Sequence, residues 1–416
     1  MGTVDMTADV RETIIERPGL VVVVAFFILL AADFGLKLLQ TTIQIGGVHL
    51  IGGQLPFPRL LTLLWDGLVI GLAIGLAGIG LSMTYSILSF ANFSHGDYVT
   101  SGAFAGWAVT FLIAGLSSGQ GSLGYLLSIG TGQGPSSAEL AINIVNTPVA
   151  LLVGLIVAIF ATVVVSLVVD RYVYRPMRGE GAISLLIASI GVALVLRYLI
   201  VFMFTGTNRG LTAGGGRLEF ASVEGQVVFE WVIRQPGQTD TVLFDIGLPF
   251  IRFGDYTAEL LAITSAEATL VGIAVVLMGG LHVVLQFTKL GKAMRAMADN
   301  KSLAQITGIP TERVIRATWI IGGGLAGAAG FLIALERGTL SFNLGWVLLL
   351  LIFAAVILGG IGSVYGAMVG GVVIGLTETL SLIWIPASFT TAAAFAIMIL
   401  MLLFKPDGLY GGVTTA

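Results

Sequence analysis

Long apolar runs, punctuated by glycine, proline and short charged clusters, dominate the chain. Ten runs approach the ~20-residue length that crosses the hydrocarbon core of a bilayer: 19–40, 60–84, 97–115, 148–169, 182–204, 266–288, 314–335, 346–361, 366–384 and 387–404. Each is predicted to be a helix, because a backbone in lipid must satisfy its own polar groups. The pattern therefore predicts an all-α polytopic membrane protein of about ten transmembrane helices. The first run follows Arg11 and Arg17 and exceeds the 7–15 apolar residues of a signal peptide, so it reads as an uncleaved span. Asp33 and Lys37, four apart on one helical face, are placed to pair near its end.

Two connections break the pattern. Segment 116–147 is rich in Gly and Ser. Segment 206–265 holds strand-like pieces, Gln226–Ile233 and Val242–Ile246, and suits a small folded cap. Each reads either as a solvated connection or as a docking platform for an external partner. The organisation expected is an N-terminal extension with the first span (1–59), a first half of the core (60–205), the insert (206–265), and a second half (266–416) carrying a basic segment at 289–313.

Composition sharpens the class. Only 10% of residues are charged and 56% are apolar, against roughly 25% charged in soluble domains. A soluble enzyme, a nucleic-acid binder and a single-pass receptor are excluded. The chain has no cysteine and only His49, His95 and His282, widely separated, so no thiolate site and no histidine metal cluster is expected. Charge distribution sets orientation. Arg171, Arg175 and Arg178 mark one connection, and Lys289, Lys292, Arg295, Lys301, Arg313 and Arg316 another. The positive-inside rule makes both cytoplasmic, and counting spans puts both termini on that side. Segment 206–267, with four Arg and eight Asp or Glu, falls outside.

A weak internal similarity points to an inverted repeat. Gly75-Leu-Ala-Gly78 precedes Ser89-Phe90 and the Asn92 region, and Gly324-Leu-Ala-Gly327 precedes Ser341-Phe342 and Asn343. The spans involved run in opposite directions, as in transporters built from inverted repeats.

Three constellations carry candidate chemistry. The first is Asn92-Phe-Ser-His-Gly-Asp97, a polar hexapeptide between two apolar runs. Polar backbone at membrane depth survives only beside protein or a water-filled cavity, so a broken helix near a permeation path is expected. Asn92, Ser94, His95, Gly96 and Asp97 are the candidate pathway residues; Asp97 could cap the next helix or accept a substrate ammonium, and His95 is either a titrating or a structural histidine. The second is Leu290–Gly308, a short basic helix with Met294, Met297 and Ala298 on one face, stopped by Gly308-Ile-Pro310. It suits either a groove in a partner or an anionic lipid surface. The third is the Gly-rich run Phe353–Gly371 with Gly375, whose small-xxx-small spacing, like that of Gly67, Gly71 and Gly75, suits close helix packing. Glu378 is an intramembrane carboxylate and joins the pathway candidates. Asp66, Arg197 and Glu336-Arg337 fall nearer span ends, where snorkelling explains them as well as a functional role does. No nucleotide-binding or hydrolytic signature is present; Gly291-Lys292 is followed by Ala293. A membrane enzyme is thereby disfavoured, and an autonomous ion-coupled transporter or channel stays open beside a permease.

These blocks resemble the branched-chain amino acid ABC transporter permeases of the LivH type. Asn92–Asp97 resembles the family's NFAHGE block, Arg171–Arg178 its ERVAYRPVR block and Leu185–Gly191 the span after it. Gly291–Gly308 resembles its cytoplasmic loop, Val356–Ser363 its late Gly-rich block and Lys405–Gly408 its closing P-x-G. Ser94 and Asp97 replace the family's usual Ala and Glu, and Asp299 stands where Glu is usual. The resemblance implies a ten-span, type II ABC importer permease. Its partners would be a second, LivM-like permease, two ATP-binding subunits and an extracytoplasmic solute-binding protein, in the plasma membrane of a prokaryote. Gly291, Arg295, Ala296, Asp299, Asn300 and Gly308 would then form the ATPase-coupling segment. The chain itself would bind no cofactor and would not be an enzyme; ATP would be used by the partners. Branched-chain amino acids are the implied cargo, with urea, short amides or another small polar solute as the alternative.

Overall fold

The computed structural model describes residues 18–45, 48–117, 126, 136–223, 226–234, 241–252 and 258–411. Most of the Gly/Ser-rich 116–147 connection and both chain ends lie outside them. The chain divides into two compact units, 1–61 and 62–416.

In the first unit, helix α1 (Pro18–Leu38) precedes a hairpin of β1 (Thr42–Ile45) and β2 (Val48–Gly52). The expected Asp33–Lys37 pair forms at 2.7 Å. Asp33 also accepts the Gly52 backbone N–H at 2.6 Å, so one buried carboxylate ties the hairpin to the helix.

The second unit is helical. Its elements are α2 (Phe57–Leu88, which begins in the first unit), α3 (His95–Ser117), α4 (Pro148–Val169) and α5 (Ala182–Phe204). A π turn at Asp170–Tyr174 and a last turn at Arg175–Met177 prolong α4. After the insert come α6 (Ser265–Phe287), α7 (Lys289–Asp299), α8 (Lys301–Ile306), α9 (Thr311–Arg337), α10 (Leu344–Gly359), α11 (Val364–Ser381) and α12 (Thr390–Phe404). Every one of the ten predicted runs coincides with a helix. Among the described residues, eight helices are long and apolar enough to cross a membrane, α12 being counted with the 3-10 turn Ala387–Phe389 that leads into it, and α10 is shorter, at 16 residues.

The insert contains β3 (Arg209–Gly210), β4 (Gly215–Val223), β5 (Gln226–Arg234), β6 (Thr241–Arg252) and β7 (Ala258–Thr264). The last four form an antiparallel sheet in the order β6-β5-β4-β7. Its register sets Glu219, Glu230 and Asp245 on one rung across three strands. A capping box between Thr264 and Glu267 then starts α6. β3 pairs instead with β8 (Thr339–Leu340), the short strand after α9.

Helix α9 is the centre of the bundle, with 89% of its most apolar window buried, against 6% for α12. Small residues let backbones meet, as the spacing predicts. On α2 and α11, a Cβ on Gly71 would lie 2.7 Å from Val372 Cα, and one on Gly371 would lie 2.5 Å from Gly75 Cα.

The inverted repeat is real, with a corrected register. α9 ends 249 residues after α2 (Arg337, Leu88), and α10 begins 249 residues after α3 (Leu344, His95). The same shift relates Ser89 to Gly338, both left-handed at φ +57° and +68°. Phe342 therefore matches Phe93, not Phe90, and Ser341 matches Asn92. The two helices that follow the breaks run in opposite senses, since Gly96 meets Leu349 while Thr100 meets Gly345.

Candidate functional site

Helix α2 stops where Ser89 turns left-handed, and α3 restarts at His95 inside the bundle. The six residues between would leave orphan polar groups in an apolar interior, and the side chains of the polar block satisfy them. Asn92 Oδ1 accepts from the Ser94 backbone (3.1 Å), the Ser94 hydroxyl (2.7 Å) and Tyr174 (3.1 Å). The Ser94 and Tyr174 hydroxyl oxygens lie 2.8 Å apart, so one of the two shares its proton between Asn92 and the other hydroxyl. Phe93 N–H donates to Ser189 of α5. His95 donates from Nε2 to the Ala77 carbonyl of α2 at 2.8 Å and is fully buried.

Asp97 and Arg197 meet, and local spacing could not have shown it. Arg197 donates from Nη2 and Nε to the two carboxylate oxygens, at 2.9 and 3.2 Å. Its guanidinium also lies 4.6 Å from the centre of the Trp346 ring. Position 346 is the repeat equivalent of 97, so one arginine holds both half-helices at matching positions. Snorkelling is therefore the wrong account of Arg197: it is buried on the face of α5 turned toward α3. Asp97 is correspondingly committed to Arg197 and does not stand open for an ammonium group. Next to the pair, the backbones of α3 and α10 touch, and a Cβ on Gly96 would sit 2.5 Å from the Gly345 carbonyl oxygen.

Glu378 does not join this junction. Its carboxylate accepts from Thr391 at 3.3 Å, across the turn between α11 and α12. Asp66 lies near Glu267, which takes a 2.9 Å hydrogen bond from Trp65.

The basic segment folds back onto its own chain. Thr288 caps α7 by accepting from Gly291 N–H. Gly291 packs on the Leu285 backbone, where a Cβ would meet Leu285 Cα at 2.5 Å. Arg295 donates to the Leu285 carbonyl at 2.6 Å, a cation at a helix C-terminus. Met294, Met297 and Ala304 are buried, so the methionine face is turned inward and is not the surface offered to a partner or to lipid. The outward surface holds Lys292, Asp299 and Asn300, then Leu303 and Ile306 at 58% and 83% exposure. Ala296 accepts the Asn300 N–H, Asn300 caps α8, and Gly308 turns left-handed to release the chain into α9. Beside this end, Arg178 bridges Asp170 (2.6 Å) and Glu312 (2.9 Å), tying the π turn of α4 to the start of α9.

The family described as "Branched-chain amino acid transport system / permease component" matches residues 63–404. The LivH permease protein of the high-affinity branched-chain amino acid transport system of Salmonella typhimurium is 27% identical over 349 residues, 84% of this chain and 94% of that protein. The corresponding BraD protein of Pseudomonas aeruginosa is 24% identical over 346 residues, 83% and 94% of the two chains. A probable LivH of Methanocaldococcus jannaschii is 27% identical over 343 residues, 81% and 88%. No solved structure matches the chain significantly. With a match across most of its length, a polytopic helical bundle and an inverted repeat broken at a buried polar block, the chain belongs to the permease-component family of branched-chain amino acid transport systems.

Proposed function

We propose that this chain is a permease subunit of an ABC importer for branched-chain amino acids. It works in a prokaryotic plasma membrane with a second permease, two ATP-binding subunits and an extracytoplasmic solute-binding protein. ATP is bound and hydrolysed by the partners. The observation that supports this reading best is the junction at Gly96 and Gly345. Two helices start there inside the bundle, the arrangement by which transporters form a site away from both surfaces.

The ATPases act on α7 and α8. Force on α7 passes into α6 through Arg295 and Leu285, and force on α8 passes into α9 through Gly308–Pro310. α9 carries Trp319, whose ring stacks on Tyr174 at 5.3 Å, and Tyr174 holds Asn92 and Ser94. The coupling segment is thereby connected to the break through packed side chains. Asn92–Asp97 borders the pathway from within the bundle, and Glu378 belongs to its outer end. In the complete importer, Asp299→Lys should lower leucine uptake by about an order of magnitude while ATP hydrolysis persists. Unchanged coupling, or ion-driven leucine uptake by this chain alone, would sink the reading.

A further inference from the structure

Among the described residues two arginines are buried, and one of the two has a counter-ion. Arg197 has Asp97. Arg209, five residues beyond the end of α5, is 0% exposed, yet no carboxylate among the described residues pairs with it. Its Nη2 donates to the Phe204 carbonyl and to Thr205 Oγ1. Its Nε and Nη1 have no hydrogen-bond partner among the described residues. The guanidinium lies 5.6 Å from the centre of the Trp107 ring, and Phe104, Phe111 and Phe204 surround that ring at 5.6–6.1 Å.

An arginine does not shed its proton in a protein. A buried cation with two orphan donors in an aromatic shell is costly, and burial alone pushes Arg209 down from its ordinary pKa with no carboxylate to offset it. Its position is fixed by other contacts. β3 pairs with β8, Trp107 Nε1 donates to Gly210 O at 2.9 Å, and Leu211 N–H reaches Gly338 O. The side chain is thus held in place by the scaffold while part of its donor set is unspent.

We propose that Arg209 is a binding site for one small monovalent anion, a carboxylate or a halide, at the end of the bundle opposite the basic 171–178 and 289–316 segments. Full enclosure excludes an acidic side chain of a docked protein and favours an ion-sized ligand. The unpaired Nε–H and Nη1–H are the donors, Trp107 supports the guanidinium, and the aromatic shell keeps competing water away.

The test uses the purified full chain in lipid nanodiscs, with radiolabelled acetate as the probe. Acetate should bind saturably, be displaced by chloride, and resist displacement by gluconate, a bulky carboxylate, at equal ionic strength. Arg209→Gln should weaken binding by about tenfold or more, the worth of hydrogen bonds to a charged group. L-leucine and L-leucinamide, both bulkier than acetate, should leave acetate bound, and displacement by either as readily as by chloride would overturn the enclosed site. Absence of saturable binding, displacement by gluconate as readily as by chloride, or equal binding to Arg209→Gln overturns it. If Arg209→Gln does not fold, Arg209→Lys, which keeps the charge and loses the planar fork, should still show weakened binding, and unchanged affinity there is equally fatal. None of these outcomes depends on leucine being the transported cargo.

Discussion

In the first half of the bundle the chain leaves α2 at Ser89 and re-enters helix at His95; in the second it leaves α9 at Gly338 and re-enters at Leu344. The geometry is shared and the chemistry is not. The first break is held by Asn92, Ser94, His95 and Tyr174 through a dense set of side-chain hydrogen bonds. The second carries as many polar side chains but is held through its backbone, Thr339–Leu340 pairing with β3, and Asn343 caps α10 without a side-chain bond. Where the first half carries Asp97, the second carries Trp346, and Arg197 engages both. A repeat can therefore supply the scaffold twice while the side-chain hydrogen-bond network and the carboxylate are installed once.

The largest expected effect comes from splitting the charged contact. Arg197→Met leaves Asp97 buried and unpaired and should cost about 3–5 kcal/mol. The double variant Arg197→Met with Asp97→Leu should recover much of that loss, as measured by thermal unfolding of the full chain in nanodiscs. Additive losses would mean that the pair is not the shared anchor. Next is the backbone contact. Gly345→Ala and Gly96→Ala should each cost about 1–3 kcal/mol by overpacking, and similar values for the two would confirm that the contact sits on the repeat axis. A smaller effect should separate the two breaks. Tyr174→Phe removes one of the three donors to Asn92 Oδ1 and the hydroxyl partner of Ser94 and should cost about 1 kcal/mol, whereas Asn343→Ala should stay within about 0.5 kcal/mol. Equal penalties would erase the asymmetry. The smallest test concerns the left-handed residues. Gly338→Ala should lose roughly 1 kcal/mol, while Ser89→Gly should be close to neutral, since relieved strain offsets added freedom of the unfolded chain.

Much of this architecture was legible in the sequence, for identifiable reasons. Apolar runs bounded by Gly, Pro and charge gave α4 and α5 to the residue, because lipid imposes one answer on a run of that length. The strand at Gln226 was legible from its β-branched and aromatic content, but β4 and β7, with Gly-, Ala- and Glu-bearing stretches, were not. The repeat was visible in Gly75–Gly78 and Gly324–Gly327, yet the Ser-Phe pair suggested a shift of three residues that the backbone does not make. The inward turn of Met294 and Met297 was hidden because amphipathic spacing shows a face without showing what covers it. The Arg197–Asp97 pair joins residues 100 apart in sequence, and periodicity within a helix holds no information about such a partner. Arg209 was missed for a related reason: it lies in a short non-helical connection whose burial depends on α3, α5 and β8 together.

The central claim is that the Asn92–Asp97 junction moves when the partner ATPases act on the 289–308 segment. The chain contains no cysteine, so Ser94→Cys introduces a single thiol at a fully buried position of that junction. In the assembled importer, labelling by a membrane-impermeant maleimide should be slow without nucleotide and accelerate during ATP turnover, and Asp299→Lys should remove the acceleration. A labelling rate that is the same with and without turnover would contradict the account.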